Sequence, residues 1–164
     1  MINVDVPAGL SKHDLYRFIS VRLEAIAASE NDPLANLCNF MAFLYWTLGN
    51  VNWVGLYILR EGELVLGPFA GKPACTRIAM GAGVCGTAAK SQKAQVVADV
   101  HSFPGHIACD GDSKSEIVIP LNVRGTLWGV LDIDSPIVER FNNEDLTEIT
   151  RITKQIETLA EALK

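Results

Sequence analysis

Ser115-Glu116-Ile117-Val118-Ile119-Pro120-Leu121-Asn122-Val123-Arg124-Gly125-Thr126-Leu127-Trp128-Gly129-Val130-Leu131-Asp132-Ile133-Asp134 is the stretch whose reading decides the fold. Two aliphatic runs, Ser115 to Val123 and Thr126 to Asp134, meet at Arg124-Gly125, so an antiparallel hairpin is expected. Upstream, Trp53, Gly55, Tyr57 and Leu59 alternate with Val54, Leu56 and Ile58, which reads as a strand apolar on both faces. Glu61-Gly62 turns that strand into a second one at Leu64 to Leu66, and shorter strands are expected at Thr76 to Ala79 and Gln95 to Ala98.

Helical spacing takes over at both ends. Ser11 caps a run with Leu15, Phe18, Ile19, Leu23 and Ile26 on one face. Asp32-Pro33 opens a second helix whose face carries Leu34, Leu37, Cys38, Met41, Leu44, Tyr45 and Leu48, until Gly49-Asn50 stops it. A short helix is expected around Gly86 to Ser91. Leu146, Ile149, Ile152, Ile156, Leu159 and Leu163 mark a long terminal helix from Asn143, with Asn142 or Asn143 as its cap. Helices flanking a run of antiparallel strands predict an α+β fold in which the terminal helices cover one face of the sheet.

A chain of 164 residues has room for one domain, 1–164,. With 49% hydrophobic and 20% charged residues it can bury a core without metal or disulfide staples,. Its net charge of -5 argues against nucleic acid, whose phosphates call for a basic surface,. Met1 to Leu10 lacks the pattern of a secretion signal, and no apolar run is long enough to span a bilayer, so a cytoplasmic protein without a membrane partner is expected. A homodimer is compatible with the sequence.

Cys38 lies on a helix face and reads as a small buried hydrophobe. Cys75, Cys85 and Cys109 fall instead in glycine-rich or loop sequence, where the backbone can approach a ligand and a thiolate can be reached. Three accessible thiols suggest an attack-and-resolve cycle. No CxxC pair is present, and His101 and His106 fit no finger spacing, so neither a metal nor another cofactor is expected. Both histidines read as loop hydrogen-bond partners. The stretch from Asp99 to Ser113 contains Phe103-Pro104-Gly105-His106-Ile107-Ala108-Cys109, too apolar for a solvated linker, and is expected to pack as a lid.

Glu116 interrupts an apolar strand, while Asp132 and Asp134 flank Ile133 and share one strand face. Crowded, partly buried carboxylates repel, so one should keep its proton and could donate it while another stays ionised and anchors an ammonium group. Trp53 and Tyr57, four apart on one face, could wall an apolar slot.

Gly71-Lys72-Pro73-Ala74-Cys75, Gly81-Ala82-Gly83-Val84-Cys85-Gly86, Phe103 through Asp110 and Ser115-Glu116-Ile117-Val118-Ile119-Pro120-Leu121 together resemble the free methionine-(R)-sulfoxide reductases, stand-alone GAF-domain enzymes. Gly111-Asp112-Ser113-Lys114 departs from the family's small-residue stretch. The resemblance implies a GAF-type sheet with the terminal helices on one face and loops enclosing a ligand pocket on the other. It further implies that Cys109 attacks the sulfoxide sulfur while Glu116 or Asp134 protonates the oxygen. A second cysteine, Cys75 with Cys85 as the alternative, would condense with the resulting sulfenic acid, and thioredoxin would reduce the disulfide. Free methionine-(R)-sulfoxide would be held by Asp132, with Glu116 and Asp134 nearby, and by backbone N–H groups of Gly81 to Gly86 and Ile107 to Asp110. Trp53 and Tyr57 would enclose its methyl group. The rival reading is a noncatalytic GAF sensor of a small ligand or of redox state.

Overall fold

Strands β1 (Trp53–Arg60), β2 (Glu63–Gly71), β3 (Arg77–Ala79), β4 (Gln95–Val97), β5 (Ser115–Val123) and β6 (Thr126–Ser135) form a six-stranded sheet in the order β3-β2-β1-β6-β5-β4. The structure is a computed structural model and describes residues 4–105, 107 and 111–163. All pairings along this sheet are antiparallel. Helices α1 (Lys12–Ser29), α2 (Pro33–Thr47), α3 (Gly83–Ser91) and α4 (Asn143–Ala162) complete an α+β architecture. Strands β5 and β6 are the hairpin expected from the sequence: Arg124 and Gly125 both take left-handed φ values, 52° and 78°, as a two-residue primed turn requires,.

The apolar runs of the central strands follow from burial on both faces. One face carries Val54 and Leu56 of β1, Ile117, Ile119 and Leu121 of β5, and Leu131 and Ile133 of β6; it packs beneath α1, α2 and α4 in the main core. The other carries Trp53 and Tyr57 of β1, Val118 of β5 and Val130 of β6, and it meets α3 in a smaller cluster. Polar residues on this second face therefore look into the space between the sheet, α3 and the loops around it.

Caps written in the sequence set the helix starts. Ser11 and Asp32 accept from the backbone N–H groups of Asp14 and Ala35, and Asn142 forms a reciprocal capping box with Asp145 at the head of α4,. Asp145 does more than cap. Its fully buried carboxylate accepts hydrogen bonds from Tyr16 Oη at 2.7 Å and Lys12 Nζ at 2.8 Å, both on α1, and from Arg140 Nη1 at 3.2 Å. Burial alone would raise its pKa, but these donors, with the Arg140 charge, outweigh burial and hold it below the usual carboxylate value,.

Asp145→Asn is expected to cost about 3 kcal/mol, because it leaves buried donors facing a neutral amide. Since the folded pKa is lowered, this carboxylate's contribution is present above the unfolded value of about 4 and is lost as pH falls through the folded one. Urea midpoints of wild type and variant should thus lie far apart at neutral pH and converge in acid.

Three local expectations need correction. Cys38 is exposed, not packed: the buried face of α2 is Asn36, Leu37, Phe40, Met41, Phe43, Leu44 and Thr47. Leu34, one turn before Cys38, is 50% exposed, so the two lie on a flank that the hydrophobic spacing had merged with the core stripe,. Helix α3 starts at Gly83 rather than Gly86, which puts Cys85 in its first turn and buries it. Strand β2 continues to Gly71, drawn out by pairing with β1 as far as Trp53.

Candidate active site

The pocket lies on the α3 side of the sheet and has a volume of about 530 Å³, counting its open mouth. Strands β1, β5 and β6 form its floor. In the ladders, Trp53 sits opposite Asp134, Gly55 opposite Asp132, and Glu116 opposite Asp134. The sheet register therefore brings the two aromatic residues and the three acids, widely separated along the chain, to one cavity, which all five of them line.

Trp53 and Tyr57 stack with ring centroids 5.8 Å apart, and Phe69 of β2 also stacks with Trp53, at 5.5 Å. Gly55 makes this possible, since a Cβ there would lie 2.2 Å from a Trp53 ring carbon. The polar ends of both rings tether the loop between β2 and β3: Trp53 Nε1 donates to the Lys72 carbonyl at 3.1 Å, and Tyr57 Oη donates to the Cys75 carbonyl at 2.9 Å. Cys75 is thereby held at the pocket rim, half-buried and disulfide-bonded. An ion pair between Lys72 and Asp112 ties the same loop to the segment that leads into β5.

The acids sit deeper. Glu116 is 7% exposed and Asp132 6% exposed. Burial, then the charges of Asp132 and Asp134, push the Glu116 carboxyl well above its usual range. Burial likewise raises Asp132 to about 7, against the lowering effect of its hydrogen bonds with Cys85 and Glu116. This pair retains protons near neutrality and can give one up to a bound group. Asp132 Oδ1 is buried with no hydrogen-bond partner among the described residues, an acceptor that a ligand N–H could satisfy,.

Cys85 departs most from its expected role. Its Sγ donates to Glu116 Oε1 at 3.8 Å. Burial first, and then the negative charges of Asp132 and Glu116, push its thiol pKa well up. It is neither loop-borne nor accessible, and it is a thiol rather than a thiolate. Cys109 and His106 lie outside the described residues. His101 is exposed in a 3-10 turn, Val100–Ser102, that interrupts the long loop, and Ile107 lines the pocket beside Gly83.

Of the N–H groups expected to receive a carboxylate, Gly81, Ala82 and Gly86 already donate to backbone carbonyls. Gly83, Val84 and Cys85 occupy the first turn of α3, where no preceding helical carbonyl is available, and all three line the pocket,. One polar wall residue, Ser113, escaped the sequence reading: it is buried, lines the pocket and accepts from Asn52 Nδ2 at 3.1 Å. Nothing in Gly111-Asp112-Ser113-Lys114 marks it. Phe69, outside the lining, supports Trp53 through the pairing of β2 with β1, which only the register reveals.

One group among the described residues has metal-ligating geometry: Cys85, Glu116 and Asp132, whose ligand atoms all lie within 4.8 Å of one another. None of those described helices is long and apolar enough to cross a membrane.

Residues 32–159 match the GAF domain family. A free methionine-R-sulfoxide reductase of Escherichia coli (strain K12) is 47% identical over 148 residues, covering 90% of both chains. This chain belongs to the free methionine-R-sulfoxide reductases. Solved reductases share its architecture. That of Neisseria meningitidis, in complex with its substrate, superposes with a TM-score of 0.92 at 41% identity, over 99% of this chain and 97% of its own. The reduced form of the Staphylococcus aureus enzyme gives 0.85 at 44% identity, over 95% of this chain and 99% of its own. Members of this reductase family are oxidoreductases, and the pocket lies on the sheet face where the loops of this reductase converge.

Proposed function

We propose that this chain, a single GAF domain over 1–164, reduces free L-methionine-(R)-S-oxide to L-methionine in the cytoplasm with thioredoxin as the electron donor. The observation that carries the reading is the proton-retaining pair Glu116 and Asp132 at the base of a slot walled by Trp53 and Tyr57, beneath the loop that bears Cys75.

Asp132, through its unpartnered oxygen, accepts the substrate ammonium, and the first-turn N–H groups of α3 take the carboxylate,. The methyl group lies against Trp53 and Tyr57, where the π faces favour the positive character that sulfur gains on attack. The Cys109 thiolate attacks that sulfur while the Glu116 carboxyl, or Asp134 beside it, protonates the oxygen. Oxygen passes to Cys109 as a sulfenic acid, and methionine leaves with its sulfur reduced by two electrons. The Cys75 thiol then displaces water from the sulfenic acid to give a disulfide, and a thioredoxin dithiol reduces it by exchange. Cys75 is the better-supported resolving residue because it sits at the rim and is disulfide-bonded, whereas Cys85 is buried and hydrogen-bonded to an acid.

A thioredoxin-coupled assay tests the reading. The (R) epimer of the free amino acid should turn over, the (S) epimer should not, and N-acetylmethionine-(R)-sulfoxide should lose about 100-fold or more in kcat/KM, since it leaves a buried acid without its cation. Equal turnover of the free and acetylated forms would remove the ammonium subsite from the account.

A further inference from the structure

Cys85 is a buried sulfur that the proposed cycle does not use, yet it stands in contact with the acids that the cycle needs. Substrate ammonium calls for oxygen acceptors alone; a thiol beside two carboxylates is the donor set of a borderline-soft ion rather than of magnesium or calcium. Ligand atoms within 4.8 Å of one another need only a small inward rotation to meet a tetrahedral zinc shell, in which neighbouring donors stand roughly 3.5 Å apart,. All three side chains are buried, and the Asp132 oxygen without a partner supplies an acceptor already stripped of water. The neighbouring pocket leaves room for a water as fourth ligand,.

We propose that the reduced protein binds one zinc-class divalent ion through Cys85, Glu116 and Asp132, in the place that the substrate ammonium takes, so that ion and methionine sulfoxide exclude each other. On binding, the Cys85 S–H bond and the O–H bonds of the protonated Glu116 and Asp132 carboxyls break, metal–sulfur and metal–oxygen bonds form and the protons leave to solvent; nothing is oxidised or reduced. The exclusion rests on the proposed reduction, but the ion site does not.

The test is titration of the reduced full-length chain with Zn2+ against a chromophoric chelator, without substrate, and with Mg2+ as the comparison. One Zn2+ per chain is expected, with Mg2+ at least about 1,000-fold weaker. Cys85→Ser should weaken Zn2+ binding about 100-fold or more, and Asp132→Asn should do likewise, while Cys75→Ser and Cys109→Ser should retain it. Each variant is first checked for folding by circular dichroism; if Asp132→Asn does not fold, Cys85→Ser alone decides. Uptake that survives Cys85→Ser, or vanishes in Cys75→Ser, would overturn the site, as would no uptake at all. In Cys109→Ser, which keeps the ion site but does not consume the sulfoxide, free methionine-(R)-sulfoxide should raise the apparent Zn2+ dissociation constant in proportion to its concentration; Zn2+ binding indifferent to the sulfoxide would overturn the exclusion. A chain that binds Zn2+ and reduces no sulfoxide would instead overturn the proposed function and leave the ion site standing.

Discussion

Cys109→Ser is expected to lower thioredoxin-dependent sulfoxide reduction by about a thousand-fold or more while leaving the thermal stability of the reduced protein close to wild type. A hydroxyl is not ionised near neutrality and cannot take up the sulfoxide oxygen and release it again, so both halves of the cycle fail together. Cys75→Ser should behave differently. It should form methionine once per chain and then stall with a sulfenic acid that dimedone can label. If Cys109→Ser kept normal turnover, the nucleophile would lie elsewhere, and the buried thiol of Cys85 would have to be reconsidered despite its raised pKa.

Asp132→Asn carries the second large effect, and it has two opposite signs. Kinetically it should cost about 100- to 1,000-fold in kcat/KM, the range expected when one member of a buried charge pair is removed. For stability it should help. Asp132 has a folded pKa of about 7 against an ordinary value of 3.8, so between those two values the folded state holds a proton that the unfolded chain releases,. Wild-type stability therefore falls as pH rises through that window, and the burial penalty is complete above it. Asparagine removes the penalty, so the melting temperature of the variant should exceed that of wild type at about pH 8, and the advantage should shrink toward about pH 4. A variant less stable than wild type at about pH 8 would mean that Asp132 contributes structurally instead of being strained for function.

Local sequence signals were sufficient for the elements. The Arg124-Gly125 turn, the caps at Ser11, Asp32 and Asn142, and the apolar period of α4 are each set by residues within a few positions of one another. The aspartates' shared face followed from the period of a strand. Depth did not: a helix wheel cannot tell Leu37, fully buried, from Cys38, one residue on and exposed, because only the packing of α1 and the sheet against α2 decides which edge of the stripe is covered. Cys85 was misplaced for a related reason. Glycines at 81, 83 and 86 read as loop, whereas burial against the sheet keeps this stretch helical from Gly83. The convergence of Glu116, Asp132, Trp53 and Tyr57 needed the order β1-β6-β5, which no short-range pattern specifies.

The central claim is that one sulfoxide is reduced at the expense of two thiols beside the buried acids. Fully reduced protein should be mixed with excess free methionine-(R)-sulfoxide and no reductant, and methionine and free thiols counted together. The account predicts about one methionine formed and two thiols lost per chain. Ligand binding without methionine, as in a sensor, or methionine formed with the thiol count unchanged would contradict it.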